Sequence, residues 1–172
     1  VTGLTPQAVL EDPEKAVDAQ IGKRRYAGAA TMIGHQRLWN LEWMLRDLHA
    51  RQVPGDVLEA GVWRGGACLY MKAVLNVLED TTRTVWLADS FHRGFPAPDA
   101  VTYTADTNAT IHQTWKVPCP QKAVEALFRG YGLMDERVQF LEGFFMETLL
   151  VAPIEQLALL RCDADMYGST MQ

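Results

Sequence analysis

No stretch of this 172-residue chain approaches the roughly 18 consecutive apolar residues that would mark a helix crossing a bilayer, so no membrane partner is expected. Positive charge is also in short supply: 16 Lys and Arg stand against 21 Asp and Glu, a net charge of −5. A surface short of cations does not attract phosphate backbones, which argues against nucleic acid as a partner. Cysteine is scarce. Cys68, Cys119 and Cys162 lie far apart and form no metal-ligand spacing. Their odd number, with a polar start (VTGLTPQAVLEDPEK) unlike a secretion signal, points to reduced thiols in a cytoplasm. Cys68 and Cys162 stand among apolar neighbours and are expected to be core thiols. His35, His49, His92 and His112 are scattered, without ligand spacing, and read as surface or packing residues. Internal repeats and low-complexity tracts are absent as well.

What is present suits one domain with a real core: 48% of residues are hydrophobic and only 22% charged. In residues 31–50, Leu38, Leu41, Leu45 and Leu48 recur at three- and four-residue steps, which predicts an amphipathic helix. Pro54 and Gly55 end it. Asp56–Ala60 then reads as a strand and 66–78 as a helix with an apolar stripe of Ala67, Tyr70, Met71, Val74, Leu75 and Leu78. Further strands are expected at TVWLAD (84–89), RVQFLEG and LALLRCD (157–163), with a helix over 123–131. The stretch 90–120 is long and irregular, as lids and binding segments tend to be. Apolar strands alternating with helices predict an α/β fold with a doubly wound, mostly parallel, Rossmann-like sheet. In such sheets ligands bind beyond the carboxyl ends of the strands, where Gly61, Asp89, Gly143 and Asp163 fall.

Two clusters carry chemistry. The first is the turn EAGVWRGG, with an acid, Glu59, inside an apolar strand end. A dinucleotide fingerprint needs Gly two residues after Gly61, and Trp63 stands there instead, so the pyrophosphate-binding motif fails. The spacing E-x-G-x-x-x-G resembles the first motif of S-adenosylmethionine-dependent methyltransferases, whose ligand has no phosphate to cradle. Asp89, at the end of the second strand, is placed to accept hydrogen bonds from ribose hydroxyls. The bland alternative is a tight turn beside a solvated acid. The second cluster is RCDADMYGST, in which Asp163 and Asp165 follow an apolar strand two residues apart. Carboxylates so close repel unless a cation neutralises them, and Mg²⁺ suits such a site. Ser169 or Thr170 is the expected cap of a following helix, and an Asx-rich turn is the bland reading. D-x-D phosphatases and glycosyltransferases share this look, although the phosphatase motif normally follows the first strand rather than the fourth. Trp63 and Trp115 fall in expected binding loops, while the other Trp residues read as core or interface.

Taken together, TMIGHQRLWNL, VPGDVLEAGVWRGGACLYM, ADSFHRGFP, YGLMDERVQFLEGFFMETL and LRCDADMYGST resemble the macrocin O-methyltransferase family in order and spacing. The resemblance implies a Rossmann-like class I methyltransferase that moves a methyl group from S-adenosylmethionine to a sugar hydroxyl of a glycosylated small molecule, with Mg²⁺, in antibiotic tailoring. Carried over by position, Glu59, Gly61, Trp63 and Gly65 form the cofactor turn, and Thr31 and Met32 belong to a covering arm. Asp89 and Ser90 meet the ribose, Gly143 and Phe145 lie near the adenine, Asp163 is a metal ligand and Asp165 the general base. The expected division is residues 1–50 as arm and helix and 51–172 as the cofactor-binding domain.

One departure stands out. The family draws further metal ligands from an acidic pair after a fifth strand, which this sequence does not reach. The expected fold is therefore cut after its fourth strand, leaving that strand an apolar sheet edge that another segment or partner covers. The arm and the edge both suggest self-association. Three readings stay open: an O-methyltransferase lacking its C-terminal part, a non-catalytic S-adenosylmethionine-binding module, and a D-x-D phosphatase or glycosyltransferase.

Overall fold

The computed structural model describes residues 28–99, 101–108, 110, 113 and 119–172. Its strands are β1 (Asp56–Ala60), β2 (Val85–Asp89), β3 (Val138–Glu142) and β4 (Leu157–Cys162). Its helices are α1 (Gly34–Ala50), α2 (Gly66–Val77), α3 (Gln121–Gly130) and the short α4 (Phe145–Thr148) and α5 (Tyr167–Met171). Each strand and long helix falls where hydrophobic periodicity placed it.

The sheet runs in the order β3-β2-β1-β4 and every pair is parallel. The chain therefore moves outward from β1 through β2 to β3, then returns to the far side of β1. This is the doubly wound α/β arrangement expected from sequence. The reversal falls between β1 and β4, where a crevice opens at the carboxyl ends.

Alternating side chains send the strands into two cores. On one face Val57, Val85, Leu87 and Val138 pack with Leu41 and Leu45 of α1, Met71 and Leu75 of α2, and Val124 and Phe128 of α3. Each such buried side chain stabilises the fold by roughly 1.5–3 kcal/mol. On the other face Leu58, Ala60, Trp86 and Ala88 meet Phe145, Leu149 and Ile154. Helix α1 thus shares a core with the sheet. Lys72 is the polar exception on α2: it is fully buried, and its Nζ donates to Asp135 at 2.7 Å.

β4 lies at the sheet edge, and Leu160 upon it is 56% exposed. Trp39 and Trp43 also face outward from α1 instead of joining the core, whereas Trp86 is buried. Among the described residues no helix is long and apolar enough to cross a membrane.

Candidate functional site

A cavity of about 580 Å³ opens at the carboxyl ends of the strands, over the crevice between β1 and β4. Its floor begins where β1 stops. Gly61 N donates to Ala88 O at 2.9 Å, and Asp163 N donates to Ala60 O at 2.7 Å, so three strand ends are laced together. Gly61 has φ +96°, and a Cβ there would stand 2.1 Å from Asp163 O. Gly65 opens α2 at φ +82°, where a Cβ would meet Val124 Cγ1 at 2.4 Å. Protein backbone and side chain, rather than a ligand, thus impose both glycines, although Gly61 also lines the cavity.

Asp89 governs this turn. Its Oδ2 accepts from the amides of Val62 at 2.7 Å and Trp63 at 3.0 Å, and its Oδ1 accepts from Phe91 N at 2.7 Å. An acid at the end of β2 thereby shapes the loop that follows β1. Trp63 is held at φ +51°, a conformation uncommon for a bulky residue. Its ring lies under the Arg64 guanidinium, 4.6 Å from the centroid. The indole Nε1 is buried and has no hydrogen-bond partner among the described residues. An unpaired buried donor costs about 1–3 kcal/mol, so a cavity-lining Trp of this kind suits a ligand that brings an acceptor.

An ionic chain runs from buried Glu59 to Arg161 and Asp163, which line the cavity. Arg161 of β4 pairs in register with Glu59 of β1. Its Nη1 donates to Glu59 Oε1, and its Nη2 donates to Asp163 Oδ2 at 2.7 Å. Cys68 Sγ donates to Glu59 Oε2 at 2.6 Å. Glu59 is 2% exposed, and burial, opposed by the Arg161 charge, pushes its carboxyl up to about 7. Burial and the neighbouring Glu59 charge likewise push the Cys68 thiol well above its usual range.

Asp163 and Asp165 both line the cavity and are exposed, while Ala164 and Met166 turn inward. Asp165 adopts φ +60°, which lets the two acids share one side of the turn. Among the described residues no three His, Cys, Asp or Glu side chains converge as a metal cage. Asp163 and Asp165 offer hard oxygens that suit Mg²⁺, an ion that keeps several waters and takes one or two carboxylates. Met32 and Arg37, before and on α1, and Gly143 and Phe145, after β3, line the same cavity.

The sequence profile of the family described as macrocin-O-methyltransferase (TylF) matches residues 5–172. The chain belongs to the macrocin-O-methyltransferase family. It is 44% identical to mycinamicin III 3''-O-methyltransferase of Micromonospora griseorubida over 99% of its own length and 66% of that protein. It is 41% identical to 8-demethyl-8-(2,3-dimethoxy-alpha-L-rhamnosyl)-tetracenomycin-C 4'-O-methyltransferase of Streptomyces olivaceus, over 95% of the chain and 63% of the relative. Its fold superposes on the structure of the O-methyltransferase NovP with a TM-score of 0.84 and 42% identity, covering 89% of this chain and 63% of that one. The chain thus spans about two thirds of the length of the relatives it matches.

For this macrocin-O-methyltransferase family member, the structure gathers Met32, Gly61, Trp63, Asp89, Ser90, Gly143, Phe145, Asp163 and Asp165 around one cavity. It does not bring Thr31, Glu59 or Gly65 to the cavity wall. Thr31 Oγ1 accepts from Ile33 N at 3.4 Å, within its own segment. Glu59, expected in the cofactor turn, is partnered by Arg161 and Cys68. Cys162 is exposed on the cavity rather than packed in the core, because it ends an edge strand. Neither Ser169 nor Thr170 caps α5; both lie inside it, and Asp106 caps it instead. Trp115 and His112 lie outside the described residues. Sequence reasoning missed Arg37 and Arg161. Arg161 left a signal: it is the one charge inside the apolar strand β4.

Proposed function

We propose that this chain forms the S-adenosylmethionine-binding part of an O-methyltransferase that modifies a sugar hydroxyl on a glycosylated natural product with Mg²⁺. The observation that carries this reading is the cavity itself. One wall is the Asp89–Trp63 turn, the other the Asp163–Asp165 turn, in a chain whose relatives are named O-methyltransferases. One of those names specifies a rhamnosyl group, which supports a sugar acceptor. The volume falls within the roughly 300–1,000 Å³ typical of small-molecule sites. The absence of a phosphate-binding glycine loop suits a cofactor without phosphate.

When bound, the cofactor supplies a sulfonium methyl group and Mg²⁺ supplies positive charge beside the acceptor hydroxyls. Everything else falls to this chain. Gly61 and the Trp63 indole would form the cofactor floor, Asp89 and Ser90 would meet the ribose, and Gly143 and Phe145 would border the adenine. Glu59 and Gly65 act beneath the surface, fixing β4 and α2 behind that floor. Met32 and the arm close over it: Arg64 Nη1 donates to Ala29 O at 3.1 Å, and Gly66 N donates to Ala30 O at 2.9 Å. Asp163 offers the cation a carboxylate ligand. Asp165, two residues on, takes the proton from the acceptor hydroxyl as it attacks. Positioning the acceptor hydroxyl against the cofactor would be the larger part of this chain's contribution. The D-x-D phosphatase and glycosyltransferase readings give way to the family match.

Calorimetry tests the reading directly. S-adenosylmethionine should bind, S-adenosylhomocysteine should compete, and Asp89→Asn should weaken both. No binding at concentrations up to roughly 1 mM would overturn it. Transfer of labelled methyl to a demethylated glycosylated macrolide, abolished by Asp165→Asn, would fix the reaction class.

A further inference from the structure

The long connection between β2 and α3 lines the cavity with its two ends, at Ser90 through Pro96 and at Cys119. Its middle does something else. Asp99 and residues 101–107 are tied together: Tyr103 N donates to Asp99 O at 2.8 Å, Asp106 N to Tyr103 O at 3.0 Å, and Thr107 Oγ1 to Thr104 O at 2.7 Å. This small unit then reaches across 61 positions of sequence. Asp106 Oδ1 accepts from Tyr167 N at 3.0 Å, and Asp106 Oδ2 accepts from Gly168 N at 2.6 Å. The acid is 5% exposed, so these amides are what make its burial tolerable. Tyr103 packs edge-on against Tyr167, with centroids 6.2 Å apart. Gly168 completes the fit, since a Cβ there would stand 2.8 Å from Tyr103 Cδ2 and 3.0 Å from Asp106 Oδ2.

Tyr167 and Gly168 follow the Asp163–Asp165 turn immediately, in which Asp163 N donates to Ala60 O and Met166 N to Ala164 O, each at 2.7 Å. Asp165 sits at a positive φ, which the surroundings must impose on a non-glycine residue. Met166, the residue just before α5, provides no side-chain cap. Upstream, Arg161 fixes the carboxylate of Asp163.

We propose that Asp106 is a positioning residue that latches the acidic turn from its downstream side, so that the cavity-lining connection and the Asp163–Asp165 pair set as one unit. Asp106 does not line the cavity. It acts through the backbone of residues 167 and 168, holding the two carboxylates at the spacing a cation and an acceptor hydroxyl require. Loosening the connection would therefore blur the acidic turn while leaving the cofactor floor intact. The role toward the cation rests on the reading of Asp163 as a Mg²⁺ ligand; the latch itself does not.

The protein carrying Asp106→Ala, Asp106→Asn or Gly168→Ala tests this, by hydrogen–deuterium exchange and by titration with Mn²⁺ and with S-adenosylmethionine. Asp106→Ala should speed exchange of residues 163–171 and 101–108 together by roughly tenfold or more, with β1 and α2 unchanged. Mn²⁺ affinity should fall by roughly tenfold, while cofactor affinity holds within about twofold. Asp106→Asn, which keeps one acceptor oxygen, should recover part of both losses. Gly168→Ala should reproduce the Ala signature without touching Asp106. Unchanged exchange at 163–171 would overturn the latch, as would faster exchange spread over the whole core. Local loosening with Mn²⁺ affinity intact would overturn the positioning role. If the unmutated protein binds no Mn²⁺, the Mg²⁺ reading fails separately, and the exchange pattern still decides the latch.

Discussion

Arg161 and Glu59 face each other across the parallel pair of β4 and β1, and the same guanidinium that meets Glu59 holds the Asp163 carboxylate at 2.7 Å. One cation thereby joins the buried acid of the first strand to the exposed acid of the fourth. The two strands are tied by a side chain that itself lines the cavity, at the point where the sheet reverses direction.

Removing that cation should be costly. Arg161→Met leaves Glu59 buried beside an apolar chain, and breaking a buried pair typically costs about 3–5 kcal/mol. Replacing both, with Glu59→Leu and Arg161→Met, should recover most of the loss, because no buried charge is left unpaired and the exposed Asp163 carboxylate is solvated by water. Urea denaturation of the two single variants and the double one measures the coupling. Additive effects would show that the pair is not a unit.

Glu59 also sets a pH dependence. Its carboxyl rises from an ordinary 4.5 to about 7 in the folded protein, chiefly because burial disfavours the charged form. The folded state therefore keeps a proton that the unfolded chain releases across this window. Stability is highest below about pH 4.5 as far as this group is concerned, falls as pH climbs toward 7, and then levels off. Glu59→Gln should flatten that decline, which denaturation midpoints taken across the window will show.

Gly61→Ala combines two faults. A non-glycine residue at this positive φ costs about 1–3 kcal/mol, and the new Cβ collides with Asp163 O. β4 must part from β1 at its carboxyl end, so the acidic turn shifts with it. The variant should melt earlier and lose cofactor binding, by thermal denaturation and calorimetry respectively. Full binding in a stable variant would show that the strand ends are not held as close as described.

Trp63→Phe should separate stability from binding. Deleting a buried donor without a partner removes a penalty, so the apo protein should be as stable as before or slightly more so. If the indole serves a ligand acceptor, S-adenosylmethionine affinity should drop by roughly tenfold, the worth of about one hydrogen bond. Equal loss of stability and affinity would make Trp63 a packing residue only.

The sequence by itself determined the order of strands and helices, because apolar runs of strand length and three-to-four-residue stripes fix local structure without reference to the rest of the chain. It also marked Asp89, Asp163 and Asp165, since acids at the ends of apolar strands have few reasons to be there. What only the tertiary structure decided were the partners. Glu59 stood in the expected cofactor turn, and β4 supplied Arg161 as its partner; Gly61 and Gly65 stood in the same turn, and Asp163 and Val124 leave no room for a Cβ at either. Cys162 passed for a core thiol until its strand proved to be an edge. Asp106 carried no local signal at all. Hydrogen bonds across 61 residues depend on how the sheet reverses and where the long connection lands, and neither is written in any short stretch of the chain.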